Sequence, residues 1–140
     1  MTKPLAALLL VCSLFVSSYI GSIWKKTHVE IENGLPAGTT LTVHCKSKDD
    51  DLGTHHVKDS WEFSFIPNFI DGTFFFCSFS WPGQFERFDI YVQSRDDGEC
   101  TENTKCTEGR WTVCTWKISP NGPCRLGEEF DACYHWNARS

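Results

Sequence analysis

Eight cysteines in 140 residues constrain this chain more than any other feature. Such density is typical of chains that mature in an oxidising compartment, where the thiols pair. Neither of the other common uses of clustered cysteine fits. There is no Cys-x-x-Cys and no Cys/His quartet with finger spacing, which argues against a structural zinc site. A Cys–His nucleophile pair needs a free thiol, and nearly every cysteine here has others to pair with. The expectation is one domain stapled by disulfides, each adding about 2–4 kcal/mol by restricting the unfolded chain.

The N-terminus reads as an address rather than as part of that domain. Lys3 precedes an unbroken apolar run from Leu5 to Val11, small and apolar residues continue to Ile20, and no acid appears before Glu30. The run, about 16 residues, is shorter than the roughly 20 needed to span a bilayer. Residues 1–22 are therefore expected to be a signal peptide cleaved near 18–22, after Ser18 or Ser22, leaving 23–140 as the mature domain. Cys12 leaves with the leader. Seven cysteines then remain, at 45, 77, 100, 106, 114, 124 and 133.

The mature part alternates in steps of two. Val29 and Ile31 oppose His28, Glu30 and Glu32; Leu41, Val43 and Cys45 oppose Thr40, Thr42 and His44; Trp61, Phe63 and Phe65 oppose Ser60, Glu62 and Ser64. Leu52–Val57 reads as a short edge strand. In the apolar stretch from Gly72 to Trp81, Phe75, Cys77, Phe79 and Trp81 share one face. Phe74 and Phe76 put apolar groups on the other, which suggests a central strand. Phe88, Ile90 and Val92 are expected inward with Tyr91 outward, and Cys114, Trp116 and Ile118 share a face. Turns fall at 34–38, at Trp81–Gln84 and at Ser119–Pro123, and Phe130–Trp136 reads as a last strand. The fold class is all-β: a small disulfide-stabilised β-sandwich of two antiparallel sheets with about 7–8 strands. Cys45, Cys77 and Cys114 point inward, where a sandwich places bridges between sheets. The preferred set among fifteen connectivities is Cys45–Cys133, Cys77–Cys114 and Cys106–Cys124, with Cys100 left over, or Cys106 if Cys100 takes its place.

The formal charge of −5 argues against nucleic acid, which needs a basic face, and against an electrostatic membrane anchor. Asp49-Asp50-Asp51 offers oxygens to a cation, but the acids are consecutive and no Glu closes the loop, so Lys46–Gly53 reads as a tight turn with acids capping backbone N–H groups. His44 with His55 or His56 offers the acid and base of a small secreted hydrolase or ribonuclease; an acidic chain is a poor host for a phosphodiester. No Asn-x-Ser/Thr sequon is present.

Several strings taken together carry a resemblance. Leu41-Thr42-Val43-His44-Cys45-Lys46-Ser47-Lys48-Asp49-Asp50-Asp51-Leu52-Gly53, Trp61–Phe65, Phe74–Phe79, Phe88-Asp89-Ile90-Tyr91, Cys114-Thr115-Trp116, Gly122-Pro123-Cys124 and Cys133–Trp136 resemble, in order, the plant self-incompatibility protein S1 family, also called S-protein homologues. The resemblance implies a secreted plant β-sandwich whose founding members are pistil ligands read by a pollen membrane receptor. It implies no enzymatic activity and no catalytic residue. The chain departs from the family pattern at 94–110, where Cys100 and Cys106 both appear and one is expected. The reading that results is a secreted ligand, without cofactor or metal, present as a monomer or a Cys-linked dimer and recognised by a cell-surface receptor. Its loops Lys46–Gly53, Trp81–Glu86 and Ser94–Arg110 are the candidate contacts. Within them the candidates are Lys48, Asp49, Asp50, Asp51, Gln84, Arg95, Asp96, Asp97 and Glu99.

Overall fold

A computed structural model describes residues 26–68, 70, 72–105 and 109–139, without the side chains of 103–105 and 110. The expected leader and Cys106 lie outside the described residues. The elements are β1 (Lys26–Asn33), β2 (Leu41–Lys46), β3 (Asp51–Val57), β4 (Ser60–Phe65), β5 (Phe74–Trp81), β6 (Gln84–Val92), α1 (Gln93–Asp96), β7 (Thr101–Lys105), β8 (Gly109–Ser119), β9 (Gly122–Arg125) and β10 (Ala132–Cys133). One sheet has the order β3-β2-β5-β6. The other runs β10-β9-β8-β1-β4, with β7 beside the first half of β8.

The two sheets bury their alternating faces against each other, as the period of two requires. Val29, Ile31, Cys114, Trp116 and Ile118 of one sheet and Leu41, Val43, Phe79 and Ile90 of the other are all fully buried. Aromatic rings bridge the gap: Phe63 to Phe75 at 4.9 Å, Phe65 to Tyr91 at 4.8 Å and Phe88 to Trp116 at 5.2 Å between centroids. The sandwich expected from alternation is therefore present, with four differences.

First, the larger sheet is mixed. β1 is antiparallel to β4 but parallel to β8, with Val29 opposite Cys114. Alternation is the same in both directions, so direction leaves no mark on the sequence. Second, β7, β9 and β10 raise the strand count. They are short, and Thr101–Lys105 has no apolar alternation to betray it. Third, Tyr91 is buried and Val92 only partly so. Phe75 faces Tyr91 while Cys77 faces Phe88, so β6 fits one extra residue between these pairs. Such a bulge reverses the facing of everything beyond it.

Fourth, the disulfides are Cys45–Cys77, Cys100–Cys114 and Cys124–Cys133. None of Cys45–Cys133, Cys77–Cys114 or Cys106–Cys124 forms, and Cys100 is not the spare. Cys45 and Cys77 are register partners in β2 and β5, and Cys124 and Cys133 are partners in β9 and β10, with Cα atoms 4.0 Å apart in both pairs. Cys100 precedes β7 and reaches β8, Cα to Cα 4.8 Å. Neighbouring strands already bring sulfur within reach, whereas large rings fill the space between the sheets.

The C-terminal tail ties the sheets together. Its Tyr134 N–H donates to the Pro123 carbonyl and its Asn137 N–H to the Arg87 carbonyl on β6. Trp136 packs on Phe79 and Trp81, and Arg139 donates to the Phe85 carbonyl at 3.1 Å and to Glu86. Gly122 seats this strap: its φ is +142°, and an added Cβ would meet the Tyr134 carbonyl oxygen at 2.3 Å. The outer edge of β6 is thereby covered by the chain itself.

Candidate binding surfaces

Strand direction decides which loops share an end. Lys46 faces Phe76 and Val92 faces Phe74, so the β2–β3 loop and the segment after β6 leave the smaller sheet at the same end. Trp81 faces Gln84, which places the β5–β6 turn at the opposite end. The structure thus places Lys48, Asp49, Asp50, Asp51, Asp97 and Glu99 at one end of the sandwich and Gln84, which donates to Glu86 at 2.6 Å, at the other.

The β2–β3 loop is the tight turn its composition implies. Ser47 N–H donates to the Asp50 carbonyl at 2.8 Å and Asp50 N–H to Ser47 Oγ at 3.0 Å. Asp51 Oδ1 accepts from Gly53 N–H at 2.9 Å and lies 2.6 Å from His44 Nε2. The Gly53 N–H, then His44, hold the Asp51 carboxyl below the usual carboxylate range. Asp49 and Asp50 are left exposed.

Two of the expected contact residues belong to the interior instead. The Asp96 side chain has no exposed surface; it accepts from Val92 N–H at 2.8 Å, from Arg95 at 2.8 and 2.9 Å, and from Arg125 of β9 at 2.5 Å. The Arg95 guanidinium lies 5.0–5.1 Å from the ring centroids of Phe88, Trp116 and Tyr134 and donates to the Asp89 carbonyl at 2.7 Å. A buried carboxylate must be paired and fully hydrogen-bonded. In a polar string these two residues look like loop surface, because Arg125, the second cation on Asp96, is far along the chain. The stretch Ser94–Arg110 is accordingly not a free loop: it holds α1, the Cys100 bridge and β7. Asp97–Glu99, between α1 and the Cys100 bridge, is exposed.

Of the three histidines offered to a hydrolase, His44 and His56 share the outer face of the smaller sheet while His55 faces the other way, and each is bonded to a different local partner. His55 stacks on Trp61 at 4.2 Å and its Nε2 lies 2.8 Å from the Leu52 carbonyl oxygen. His56 is on the opposite face of β3, with Nδ1 3.1 Å from Thr42 Oγ1, and His44 is held by Asp51. Each ring is engaged locally, and the pair offered to a hydrolase is not assembled.

Sequence reasoning passed over the outer face of the smaller sheet. β5 is an interior strand, as expected, yet among the described residues nothing covers its outer side: Phe74 and Phe76 are 44% and 40% exposed, and Phe85 of β6 is 49% exposed. Phenylalanines on the same face as Ser78 and Ser80 were the signal for it.

Residues 28–136 match the family model of the plant self-incompatibility protein S1. The chain belongs to that family. It is 50% identical to S-protein homolog 2 of Arabidopsis thaliana over 118 residues, covering 81% of this chain and 70% of that protein. It is 46% identical to S-protein homolog 5 of the same plant over 127 residues, covering 88% and 89%. A solved structure of the self-incompatibility protein homologues, described as small, highly stable, secreted proteins from plants, superposes with a TM-score of 0.51 over 82% of this chain and 97% of its own, at 15% identity. At that identity the likeness speaks for the fold. The S1 family is not a known enzyme family, and the hydrolase alternative finds no support in these relatives or in the histidine geometry.

Proposed function

We propose that this S1-family chain is a secreted ligand, with residues 1–22 as its leader, read by a cell-surface receptor through the loops at the α1 end of its sandwich. The observation that carries the reading is that the β2–β3 turn and Asp97–Glu99 are exposed at the same end of a scaffold held by three disulfides. Recognition residues on loops held by a rigid framework lose little freedom on binding. The exposed groups there, Lys48, Asp49, Asp50, Asp97 and Glu99, are mainly acidic, and a receptor with a basic rim complements them.

The test is saturation binding of fluorescently labelled mature protein to protoplasts of the tissue surrounding its site of expression. Binding is expected to be saturable, abolished by mild protease treatment of the cells, and weakened at least tenfold by the combination Asp49→Asn, Asp50→Asn, Asp97→Asn and Glu99→Gln. Gln84→Ala, at the far end, serves as the unaffected control. Protease-resistant binding, or equal binding by the fourfold variant with its disulfides intact, rules the reading out.

A further inference from the structure

The outer face of the β3-β2-β5-β6 sheet carries a second surface with different chemistry. An open cavity of about 440 Å³ lies there, lined by His44, Phe76, Ser78, Phe85, Arg87 and Asn137 among others. Half-exposed phenylalanine rings on an uncovered sheet face are costly in water and are a common mark of a binding site. Between them Arg87 is exposed, its guanidinium 5.3 Å from the Phe85 ring centroid. Among the described residues no carboxylate pairs with it. The neighbouring basic side chains differ, since His44 and Lys46 share Asp51 at 2.6 and 3.9 Å. Arg87 is thus a cation beside an apolar platform with its counter-ion position open.

Three ligand classes compete for such a face, and the surroundings separate them. A peptide recognised by strand addition needs a free backbone edge. Here the β6 edge is taken by the tail, through Asn137 N–H on the Arg87 carbonyl and Arg139 on the Phe85 carbonyl. An anionic lipid surface needs several unpaired cations in one patch, and this face has Asp51 and Asp89 among its cations. What remains is a small amphipathic anion read by side chains alone. Asn137 Nδ2 donates to Asp89 Oδ1 at 3.1 Å, which leaves the second N–H and the carbonyl of that amide, the other Asp89 oxygen and the Ser78 hydroxyl turned to hydroxyl-rich chemistry.

We propose that this face binds an acidic oligosaccharide. A uronate carboxylate pairs with Arg87, the apolar faces of sugar rings lie on Phe76 and Phe85, and ring hydroxyls meet Ser78 and the Asp89–Asn137 pair. The forked guanidinium matches a carboxylate in two parallel hydrogen bonds. The site is independent of the receptor reading, because the loop-end substitutions above leave it untouched.

The experiment is calorimetric titration of the full mature protein with tetragalacturonate, its methyl-esterified tetramer and polyglutamate, with flotation on phosphatidylserine vesicles alongside. Tetragalacturonate is expected to bind saturably. The methyl ester, which keeps the rings and loses the charge, is expected to bind at least tenfold more weakly, as is tetragalacturonate with Arg87→Gln. Phe76→Ala and Phe85→Ala each weaken binding with Tm unchanged, since both rings stand outside the core. Absence of saturable tetragalacturonate binding, equal affinity for polyglutamate, preferential capture by the vesicles, or indifference to Arg87→Gln each overturns the proposal.

Discussion

Asp96 and Asp51 each sit between two basic side chains: Arg95 and Arg125 for the first, His44 and Lys46 for the second. Asp96 is wholly buried, whereas the Asp51 side chain is 58% exposed. The buried carboxylate exists because its lone pairs are filled by two guanidinium groups and one backbone N–H, and because three aromatic rings enclose the arginine beside it. It fastens α1 to β9 across the interior. The exposed one organises a turn, and water screens its charge. The same pairing chemistry therefore yields a structural knot in one place and a solvent-exposed turn in the other, and burial is what separates them.

The largest expected effect tests the knot. Asp96→Ala strands the buried Arg125 guanidinium and the part-buried one of Arg95 and should cost about 3–5 kcal/mol in denaturant unfolding with the disulfides intact; a loss below about 1 kcal/mol would dissolve the contrast between the two carboxylates. Next comes Tyr91, packed between the sheets close to Asp97 and Asp96. Burial, reinforced by those two carboxylates, pushes its phenol up to about 12. The unfolded chain loses that proton near pH 10. Unfolding thus releases protons between these values, and stability should fall as pH rises from about 10 to about 12. Ultraviolet titration should show one phenol that stays protonated until that range, and ionisation of every tyrosine near pH 10 would contradict it.

A smaller effect belongs to the strap. Arg139, followed by Gln84, holds the Glu86 carboxyl below its ordinary range. A carboxyl lowered in the folded state contributes stability above its unfolded value, about 4.3, and the contribution is lost as pH falls through the folded value. Arg139 is 71% exposed, so Arg139→Ala should cost about 1 kcal/mol or less at pH 6, and the difference from wild type should vanish on acidification. A difference that grows in acid would refute the assignment. The smallest effect is at Asp51: Asp51→Asn should leave Tm indistinguishable from wild type in thermal unfolding, and a clear drop would mean the turn is as structural as the knot.

Much of the site's framework was legible before any tertiary information. The Lys46–Gly53 turn follows from consecutive acids beside glycine, and the inward faces of β1, β2, β4 and β8 follow from strict alternation. The outer aromatic face was visible as Phe74 and Phe76 but was read only as the mark of a central strand, because periodicity reports which side a residue takes and not what lies beyond that side. Arg95 and Asp96 were misplaced for a related reason. A charged pair in a polar string looks solvated until Arg125 arrives from β9.

By itself, then, the sequence determined an oxidised, aromatic, two-layered β protein of the S1 family, because period and composition are local and survive without partners. Tertiary structure alone decided which cysteines meet, that β1 lies parallel to β8, that an added residue in β6 turns Tyr91 inward, and that the tail closes one sheet edge. These depend on register and on groups distant in the chain, which come together only when both sheets have bound their neighbours.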